Sequence, residues 1–360
     1  MSMDHPQVSV SVVVVNYQGA SYLKRCLDRV ASQDLVPDEI LVVDNASSDG
    51  SDQIAARYGG TVRLIEAGGN LGPAGARNLG LEAARNRWVL CLDNDCYLET
   101  ETLGQLVRAA ATDPAVVLVQ PRSLFATDPS RVHYDGGTLH HAGLFSLRNW
   151  YRPLEEALAG DHGPLQPVDG AVSLCLLVDR DRIQALGAFD PVYFILFEDL
   201  DLSYRVRSAG LKILSVPGAS VLHDEGTAGV SFRSGARYPA QRFFLHARNR
   251  PLYLLKNYSL RALFLTLPSQ AIYEFAYLAL ALRHRGFLSW MRGKAAAVAL
   301  VPQTLSKRAV VQAARVVGDG KLLVEGPLTL TPDAGGKRGT ARWLSWALGR
   351  LFRLVRPLLG

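Results

Sequence analysis

The sequence predicts an α/β fold, a mostly parallel sheet flanked by helices, followed by a C-terminal helical appendage. Apolar strand-like runs alternate with segments of helical spacing up to Asp95, which is typical of a right-handed parallel α/β sheet. The composition changes after Asn257, where long apolar and basic segments follow. With 360 residues, 48% of them hydrophobic, the chain can form one large core or one domain with an appendage.

The first four strands are predicted from apolar runs that end on polar residues. The run at 8–17 is rich in valine and does not alternate with polar residues, which is typical of a strand covered on both faces. Further strands are predicted from residue 39 to Asp44 and Asn45, with a polar turn up to 51, within 62–72, where a loop follows the strand, and at 88–95, with helical segments between them. Pro73 opens the third helical segment, where proline is favoured.

A second block of elements is predicted beyond a stretch at 123–165 that is rich in Gly, His and Pro and predicts loops and short strands. Residues 168–190 predict a strand and a short helix. Residues 194–210 begin apolar and continue as a helix that carries three acids, and 212–226 predicts a strand that brings His223.

The charge balance and the cysteines predict the surroundings of the protein. The chain has 39 Lys and Arg and 33 Asp and Glu, a net charge of +6, and few of the acids lie beyond Arg261. This basic end predicts an anionic partner, and a membrane is preferred to nucleic acid because zinc-finger, RNP and basic-zipper patterns are absent. Four cysteines without a CxxC pair predict reduced thiols in the cytosol. The opening MSMDHPQ lacks a secretory pattern, so we do not expect secretion.

Polar residues gather where the predicted strands end. In open α/β sheets ligands bind beyond the carboxyl ends of the strands, so these side chains are expected to lie together. Each one alone could equally be a turn former, since Asn and Asp are common in turns. The residues are Asn16, Asp44, Asn45, Asn70, Asp93 and Asp95.

Asp93 and Asp95 lie one residue apart at the end of an apolar strand. Two such carboxylates stay ionised together only beside a positive charge, which a divalent cation with substrate phosphates would supply. The sequence lacks GxxxxGK[ST], and no GxGxxG follows the first strand, so neither a P-loop ATPase nor a Rossmann dehydrogenase is predicted. Arg77, near the start of the helix after GGNLGP, is a candidate phosphate or nucleotide contact.

The FEDLD segment supplies a second group of acids, Glu198, Asp199 and Asp201. One interpretation is structural, because acids favour the first turn of a helix and Asp201 can pair with Arg205 one turn on. The other is catalytic, because a carboxylate at the mouth of an apolar segment can act as a general base. The catalytic interpretation is preferred for the pair Glu198 and Asp199, and both interpretations stay open for Asp201.

Seven segments in sequence order resemble the motifs of the inverting family 2 nucleotide-sugar glycosyltransferases, which have the GT-A fold. Within that family the chain is similar to bacterial rhamnosyl- and galactofuranosyltransferases that build surface polysaccharides. The resemblance covers roughly residues 8–257. The segments are SVVVVNYQG, ILVVDNASSDGS, NLGPAGARNLGL, LDND, FEDLDLSYRVRSAG, VLHDEGTAG and RNRPLYLLKN.

The resemblance implies a donor site at the strand ends. Asp44 would recognise the nucleotide base, with Asn16 and Arg77 near it. Asn45 and Asn70 belong to the same predicted donor site.

The resemblance also implies the catalytic groups. Asp95 and His223 would hold Mg²⁺ or Mn²⁺, and Asp93 would contact the ribose or support the metal. Asp199, with Glu198 beside it, would deprotonate an acceptor hydroxyl that attacks the anomeric carbon and inverts it. The family often has Ser or Thr after the histidine, where Thr227 is the candidate here. The acceptor side is predicted at Asp169, Gly170 and Asp201.

Three regions are predicted: a GT-A domain at 1–258, a helical region at 259–332 that is a candidate for membrane association, and a linker plus basic amphipathic helix at 333–360. Pro268 and Glu274 interrupt the apolar segment at 260–284, so a packed or interfacial helical pair is favoured over a spanning helix. The last helix sets arginines against Trp and Leu, which is typical of an anionic membrane interface. Docking on the domain or on a second subunit is the alternative.

The predicted function is inverting, metal-dependent transfer of a sugar from a dTDP-rhamnose or UDP-hexose type donor. The acceptor is a hydroxyl of a glycan or a lipid-linked molecule in cell-surface polysaccharide or glycolipid biosynthesis. We expect a cytoplasmic protein in peripheral contact with the inner face of the membrane, without a nucleic-acid partner, and the oligomeric state stays open. A nucleotidyltransferase is one alternative. A catalytically silent glycan-assembly scaffold is another, although it predicts the loss of Asp95, Asp199 or His223, and all three are present.

Overall fold

A computed structural model describes residues 9–224, 226, 230, 238–329 and 338–360, and the side chains of all of these except 338–341. Two predictions lie outside the described residues, namely the one on Thr227 and the linker after 333. The rest of the predicted elements fall within them.

The described residues form thirteen strands, and the four strands predicted first are confirmed. The stretch at 123–165, expected to hold loops and short strands, contributes three whole strands and a short helix. The strands are β1 (Val10–Asn16), β2 (Glu39–Asp44), β3 (Val62–Glu66), β4 (Trp88–Asp93), β5 (Cys96–Leu98), β6 (Val116–Phe125), β7 (Asp128–Tyr134), β8 (Gly137–His140), β9 (Leu144–Leu147), β10 (Gln166–Val168), β11 (Cys175–Asp179), β12 (Lys212–His223) and β13 (Leu323–Val324).

The helices of the described residues alternate with the strands in the first part of the chain and dominate the last hundred residues. They are α1 (Leu23–Ala31), α2 (Ser51–Ala56), α3 (Gly72–Ala83), α4 (Thr102–Ala110), α5 (Leu154–Ala159), α6 (Arg180–Ala185), α7 (Glu198–Ser208), α8 (Ala240–Asn257), α9 (Leu260–Leu265), α10 (Leu267–Arg283), α11 (Phe287–Ala299), α12 (Val301–Ala313), α13 (Asp319–Leu322) and α14 (Arg338–Val355).

The larger sheet has the strand order β10–β12–β6–β11–β4–β1–β2–β3, with β5 beside β12 and β7 beside β6. Strands β1 to β4 are parallel, as predicted, and their register sets Asn16 beside Asp44 and Val15 beside Asp93. Strand β11 runs antiparallel to both β4 and β6, while β12 is parallel to β6. The sheet is therefore mixed. The sequence did not reveal this because β11 pairs with strands that are distant along the chain.

Strand β1 is buried along its whole length because both faces of the sheet are covered. Val12 and Val14 face a core that includes α1 and α4, whereas Val13 faces a second core that includes α3 and α7. Each such buried side chain contributes about 1.5–3 kcal/mol of hydrophobic stabilisation. Burial on both faces explains why apolar and polar residues do not alternate along β1. The parallel pairing places the ends of these strands at one edge of the sheet.

The C-terminal helices form the predicted appendage. Among the described residues, none of the helices has the length and hydropathy needed to cross a bilayer. The segment at 260–284 forms the short helix α9 and the longer α10, which is the helical pair favoured by its interruptions.

Helix α14 uses part of its apolar face to dock on the protein, which was the alternative prediction for it. It contacts α10, and the buried Phe352 stacks on His141 with ring centroids 4.3 Å apart. Trp343 and Trp346 remain 60% and 55% exposed. The apolar side chains of this helix are therefore divided between the core and the surface.

Candidate active site

The carboxyl ends of β1 and β2 hold a hydrogen-bonded cluster of predicted donor-site residues. Asn16 Nδ2 donates to Asp44 Oδ1 at 2.7 Å and to Ser51 Oγ at 2.8 Å. Asn94 Nδ2 donates to Asn16 Oδ1 at 2.8 Å. Asn16 is fully buried. Through these hydrogen bonds it links Asp44 to the Asp93–Asp95 turn. The sequence does not indicate Ser51, and it indicates Asn94 only as the residue between Asp93 and Asp95, because neither residue type is informative without its partners.

Asn45 and Asn70 lie at the same edge of the sheet and bond to each other, with Asn45 Nδ2 donating to Asn70 Oδ1 at 3.1 Å. Asn45 Oδ1 also accepts the Leu71 N–H at 2.8 Å, and Asn70 Oδ1 accepts the Gly72 N–H at 2.9 Å. The two amides therefore hold the loop that leads into α3. This is the turn chemistry that was the alternative for each of them.

Arg77, on α3, is buried among three carboxylates. Its Nη2 donates to Asp93 Oδ1 at 2.6 Å, and its Nη1 lies 3.9 Å from Glu198 Oε1. Burial acts to lower the pKa of Arg77, but Asp93, Asp199 and Glu198 raise it above its ordinary value. Arg77 Nε and Nη1 and Glu198 Oε2 are buried without a hydrogen-bond partner among the described residues. Buried polar groups of this kind are rare unless a ligand or water completes them.

Asp95 and His223 come together although 128 positions separate them. His223 Nε2 lies 3.3 Å from Asp95 Oδ2, which also accepts the Gly226 N–H at 2.7 Å. Burial acts to raise the pKa of Asp95, yet the adjacent His223 and the Gly226 hydrogen bond bring it below its ordinary value. Strand β12 is long enough to carry His223 from the far edge of the sheet to the DND turn.

Asp95, Cys96 and His223 offer ligand atoms that lie within 4.8 Å of one another, and all three residues are buried. Burial raises the pKa of the Cys96 thiol well above its ordinary value, and a soft sulfur ligand suits Mg²⁺ or Mn²⁺ less well than an oxygen ligand does. A carboxylate oxygen and an imidazole nitrogen remain, together with the nearby Asp93 carboxylate. This donor set fits Mg²⁺ or Mn²⁺ completed by phosphate and water oxygens.

His133, on β7, is a site residue that the sequence did not indicate. Its Nδ1 lies 3.1 Å from His223 Nδ1, and the two rings stack with centroids 4.8 Å apart. Ser123 Oγ lies 3.4 Å from the same His133 nitrogen. His223 therefore has a neighbour at each ring nitrogen, Asp95 at Nε2 and His133 at Nδ1. Residue 133 falls in the stretch at 123–165, for which the sequence predicts only loops and short strands. The sequence therefore does not indicate that His133 lies beside His223.

The acid pair follows a strained loop. Phe194, Leu196 and Phe197 have φ angles of 63°, 67° and 78°, a region that non-glycine residues seldom adopt. Asn249 Nδ2 on α8 donates to the carbonyls of Tyr193, Ile195 and Leu196 at 2.8–3.0 Å. Strain of this kind persists only where surrounding contacts enforce it, and it gathers at functional sites.

Asp199 accepts a short hydrogen bond from Ser173 Oγ, a residue that sequence reasoning missed. Burial raises the pKa of Asp199, although Arg77 and the Ser173 hydrogen bond act to lower it. Burial and the neighbouring Asp199 raise the pKa of Glu198 well above its ordinary value. A carboxylate with a raised pKa binds a proton more readily than an ordinary one, as a general base requires.

The residues predicted on the acceptor side lie in two places, Asp201 within α7 and Asp169 with Gly170 after β10. Asp201 is fully buried in a network with Arg205, Lys256 and Asn257, so it has no surface with which to meet an acceptor. The i+4 pairing foreseen as the structural alternative is the arrangement observed.

Asp169 and Gly170 directly follow β10, and the Gly170 N–H donates to the Gly137 carbonyl at 3.0 Å. Asp169 Oδ1 pairs with Arg207 Nε at 3.1 Å, two turns or about 12 Å along α7 from Asp199. Asp169 lines a cavity of about 500 Å³ with Asp113 and Lys212 at the amino end of β12, the opposite edge from His223. Ser173, three residues after Gly170, donates a hydrogen bond to Asp199.

Comparison with known proteins decides the family. A family model described as glycosyl transferase family 2 matches residues 11–160. The N-acetylglucosaminyl-diphospho-decaprenol L-rhamnosyltransferase of Mycobacterium tuberculosis is 30% identical over 273 residues, covering 69% of this chain and 84% of that protein. The chain belongs to glycosyltransferase family 2. The galactofuranosyltransferase GlfT1 of Mycolicibacterium smegmatis is also 30% identical, over 72% of this chain and 87% of its own length.

Two solved structures are similar to this chain in fold. The crystal structure of GalNAc-T7 with UDP, GalNAc and Mn²⁺ has a TM-score of 0.58 at 19% identity, covering 80% of this chain and 56% of its own. That of S. aureus TarS has a TM-score of 0.52 at 16% identity, covering 85% and 52%. The chain thus spans just over half of these two structures and has the GT-A fold. As a family 2 glycosyltransferase, it transfers a sugar from a nucleotide sugar in glycan biosynthesis, which decides against the nucleotidyltransferase and scaffold alternatives.

Proposed function

We propose that this glycosyltransferase is a metal-dependent, inverting enzyme that acts on a dTDP-rhamnose or UDP-hexose type donor. The observation that carries the proposal is the meeting of Asp95 with His223, 3.3 Å apart, at the sheet edge that also holds Arg77 and Asp199. The relatives named above are a rhamnosyltransferase and a galactofuranosyltransferase, which supports these two donor classes.

The nucleotide lies at the carboxyl ends of β1 to β4 in this proposal. Asp44 meets the base, held by Asn16, and Asp93 meets the ribose or supports the metal. Asn45 and Asn70 shape the loop beside it through their hydrogen bonds. Arg77 has two buried nitrogens without a hydrogen-bond partner in the described part of the chain, and its charge suits the phosphates.

Asp95 and His223 would hold Mg²⁺ or Mn²⁺, with Asp93 as the adjacent carboxylate. The bound ion supplies Lewis-acid stabilisation of the diphosphate leaving group. The GalNAc-T7 structure contains Mn²⁺ together with UDP, which favours this family of ions.

Asp199 is the proposed general base. It takes the proton of an acceptor hydroxyl as that oxygen forms a bond to the anomeric carbon. The bond from that carbon to the diphosphate breaks on the opposite face, so the configuration inverts. Ser173 holds the Asp199 carboxylate in place, and burial together with Asp199 raises the pKa of the adjacent Glu198.

The acceptor is proposed to be a glycan or a lipid-linked molecule at the cytoplasmic face of the membrane. One relative is named for a diphospho-decaprenol acceptor, which is a lipid carrier. The proposed organisation is a GT-A domain at 1–258, a helical region at 259–332 that contacts the membrane, and a terminal segment at 333–360. The exposed Trp343 and Trp346 of α14 are consistent with such contact.

The test is a thermal-shift panel of UDP-, dTDP- and GDP-sugars, with and without Mn²⁺, on wild type and Asp95→Asn. We expect one nucleotide to raise the melting temperature of the wild type, and only with the metal, because a ligand that binds the native state stabilises it. The anomeric configuration of the product, measured by NMR, then tests inversion. Equal stabilisation of both proteins without metal, or retention of configuration, would contradict the proposal.

A further inference from the structure

The C-terminal helices carry most of the exposed apolar surface of the protein. Twenty large hydrophobic side chains are exposed among the described residues, and sixteen of them lie beyond residue 259. Isolated exposed hydrophobics are ordinary, but a concentration in one region marks an interaction surface. This region also holds 15 Lys and Arg residues against four acids from residue 261 onward.

The turn between α10 and α11 combines both features within eleven residues. We define the α10–α11 corner as residues 282–292. Its exposed apolar residues are Leu282, Phe287, Leu288 and Met291, and its exposed arginines are Arg283, Arg285 and Arg292. Within the described part of the chain, none of these arginines makes an ion pair with an acid.

Helix α10 continues the apolar surface away from this corner. Phe275, seven residues before Leu282 and hence on the same helix face, is 70% exposed. Glu274 is the only charged residue between Arg261 and Arg283. It is turned inward, where it accepts from Arg250 at 3.1 Å and lies 2.7 Å from Lys294 Nζ. Before Arg283, its last residue, the exposed face of α10 therefore carries no charged side chain.

From these contacts we propose that the α10–α11 corner is a membrane-docking element, with Leu282, Phe287, Leu288 and Met291 inserted among the acyl chains and the three arginines on anionic lipid phosphates. Apolar tips beside guanidinium groups suit such an interface. A symmetric dimer through this corner would oppose the arginines of two copies without an acid between them. The charge pattern thus favours lipid over a second copy.

Helix α10, which leads into the corner, is connected through α8 to the loop that precedes Glu198. Phe197, directly before Glu198, contacts His246 of α8 with ring centroids 5.3 Å apart, and His246 stacks on Tyr277 of α10 at 4.1 Å. Packed helices lie about 8–10 Å apart. Resting on the proposed function, this element would present the acid pair to an acceptor whose lipid is embedded in the same membrane.

The experiment is flotation of the full chain with phosphatidylcholine vesicles and with mixed phosphatidylcholine–phosphatidylglycerol vesicles. We expect binding to the mixed vesicles only. The triple variant R283Q/R285Q/R292Q should bind roughly 100-fold more weakly, from about five-fold per arginine near an anionic surface. The variant L282S/L288S should lose at least about ten-fold through the loss of apolar burial.

Charge-matched and hydropathy-matched controls are available in the first domain. The variants R57Q/R85Q/R108Q and V36S/L158S change exposed side chains and should bind the mixed vesicles like wild type. Equal losses in the controls, wild-type binding by the corner variants, or a wild-type dimer that only the corner variants dissociate, would overturn the proposal. Hydrolysis of the sugar nucleotide in vesicle-free buffer should be unchanged in the corner variants. An inactive wild type that still binds vesicles would therefore refute the proposed function and leave this inference standing.

Discussion

Asp199 and Asp201 stand two residues apart on α7 and have opposite surroundings. Asp201 is surrounded by Arg205, Lys256 and Asn257. Burial acts to raise its pKa, but these partners bring it below the ordinary value. Asp199 accepts a hydrogen bond from Ser173 and lies beside Glu198. Its pKa is raised, chiefly by burial. Asp201 therefore has two cations to itself or shared with Asp190, whereas Asp199 shares the single Arg77 with Asp93 and Glu198.

The comparison separates charge that supports the fold from charge that is available for chemistry. The Asp201 network joins α7 to α8, and Lys256 also reaches Asp190 at 2.7 Å. The group around Arg77 leaves three buried polar atoms without hydrogen-bond partners in the described chain, whereas the Asp201 network leaves one, Asn257 Oδ1. A protein keeps such incomplete pairing where a ligand completes it. The predictions below test whether the two groups differ in this way.

The largest expected effect is on turnover in Asp199→Asn. The asparagine keeps the shape and a hydrogen bond to Ser173 but cannot take the acceptor proton. We expect the kcat for sugar transfer to fall by about 10²–10⁴-fold, the usual contribution of a general base. The matched control is Asp113→Asn, which alters a carboxylate paired with Lys212 at the opposite sheet edge and should keep wild-type turnover. Normal turnover in Asp199→Asn would contradict the assignment of Asp199 as the general base.

Asp201→Asn should instead lower stability. It leaves Lys256 and Arg205 buried with a lost partner, and breaking a buried ion pair in this way costs about 3–5 kcal/mol. Chemical denaturation measures the free energy of unfolding. The lowered pKa of Asp201 means that its stabilisation is present above the unfolded pKa of about 3.8 and is lost as the pH falls through the folded pKa. The difference between wild type and variant should therefore shrink in strong acid, and a constant difference would contradict this origin.

His133→Phe tests the support of the metal site. The ring stacking on His223 is kept, but the nitrogen 3.1 Å from His223 Nδ1 is lost. Removing such an outer partner of a metal-binding histidine weakens metal affinity by about 10–100-fold. We expect a raised Mn²⁺ requirement with near-normal kcat at saturating metal. His133→Asn, which can place a polar atom near the lost nitrogen, should restore part of the affinity, and an equal loss in both variants would indicate a packing role alone.

The smallest expected effect is a gain in stability in Asp199→Asn. Because the folded pKa is raised, ionised Asp199 destabilises the native state near neutral pH, and its removal should raise the melting temperature. The gain should disappear below the ordinary pKa, where the carboxyl is protonated in both states. A fall in melting temperature at neutral pH would mean that Asp199 is a structural residue like Asp201.

The sequence predicted those features that are encoded locally. The valine-rich run at 8–17 revealed a two-sided strand, and the polar strand ends located Asn16, Asp44 and Asp93. Features that depend on distant pairing were out of reach. The antiparallel position of β11, which brings Ser173 to Asp199, and the approach of β7, which brings His133 to His223, leave no mark in local spacing. Asp201 was open to two interpretations because a charge pattern does not reveal burial.

The most direct measurement is a titration of Mn²⁺ by electron paramagnetic resonance in the presence of UDP or dTDP, on wild type, Asp95→Asn and Asp113→Asn. We expect wild type and Asp113→Asn to bind the ion with the matching nucleotide, and Asp95→Asn not to bind it. Mn²⁺ binding by Asp95→Asn that equals that of wild type would contradict the assignment of the incompletely paired group as the metal and donor site.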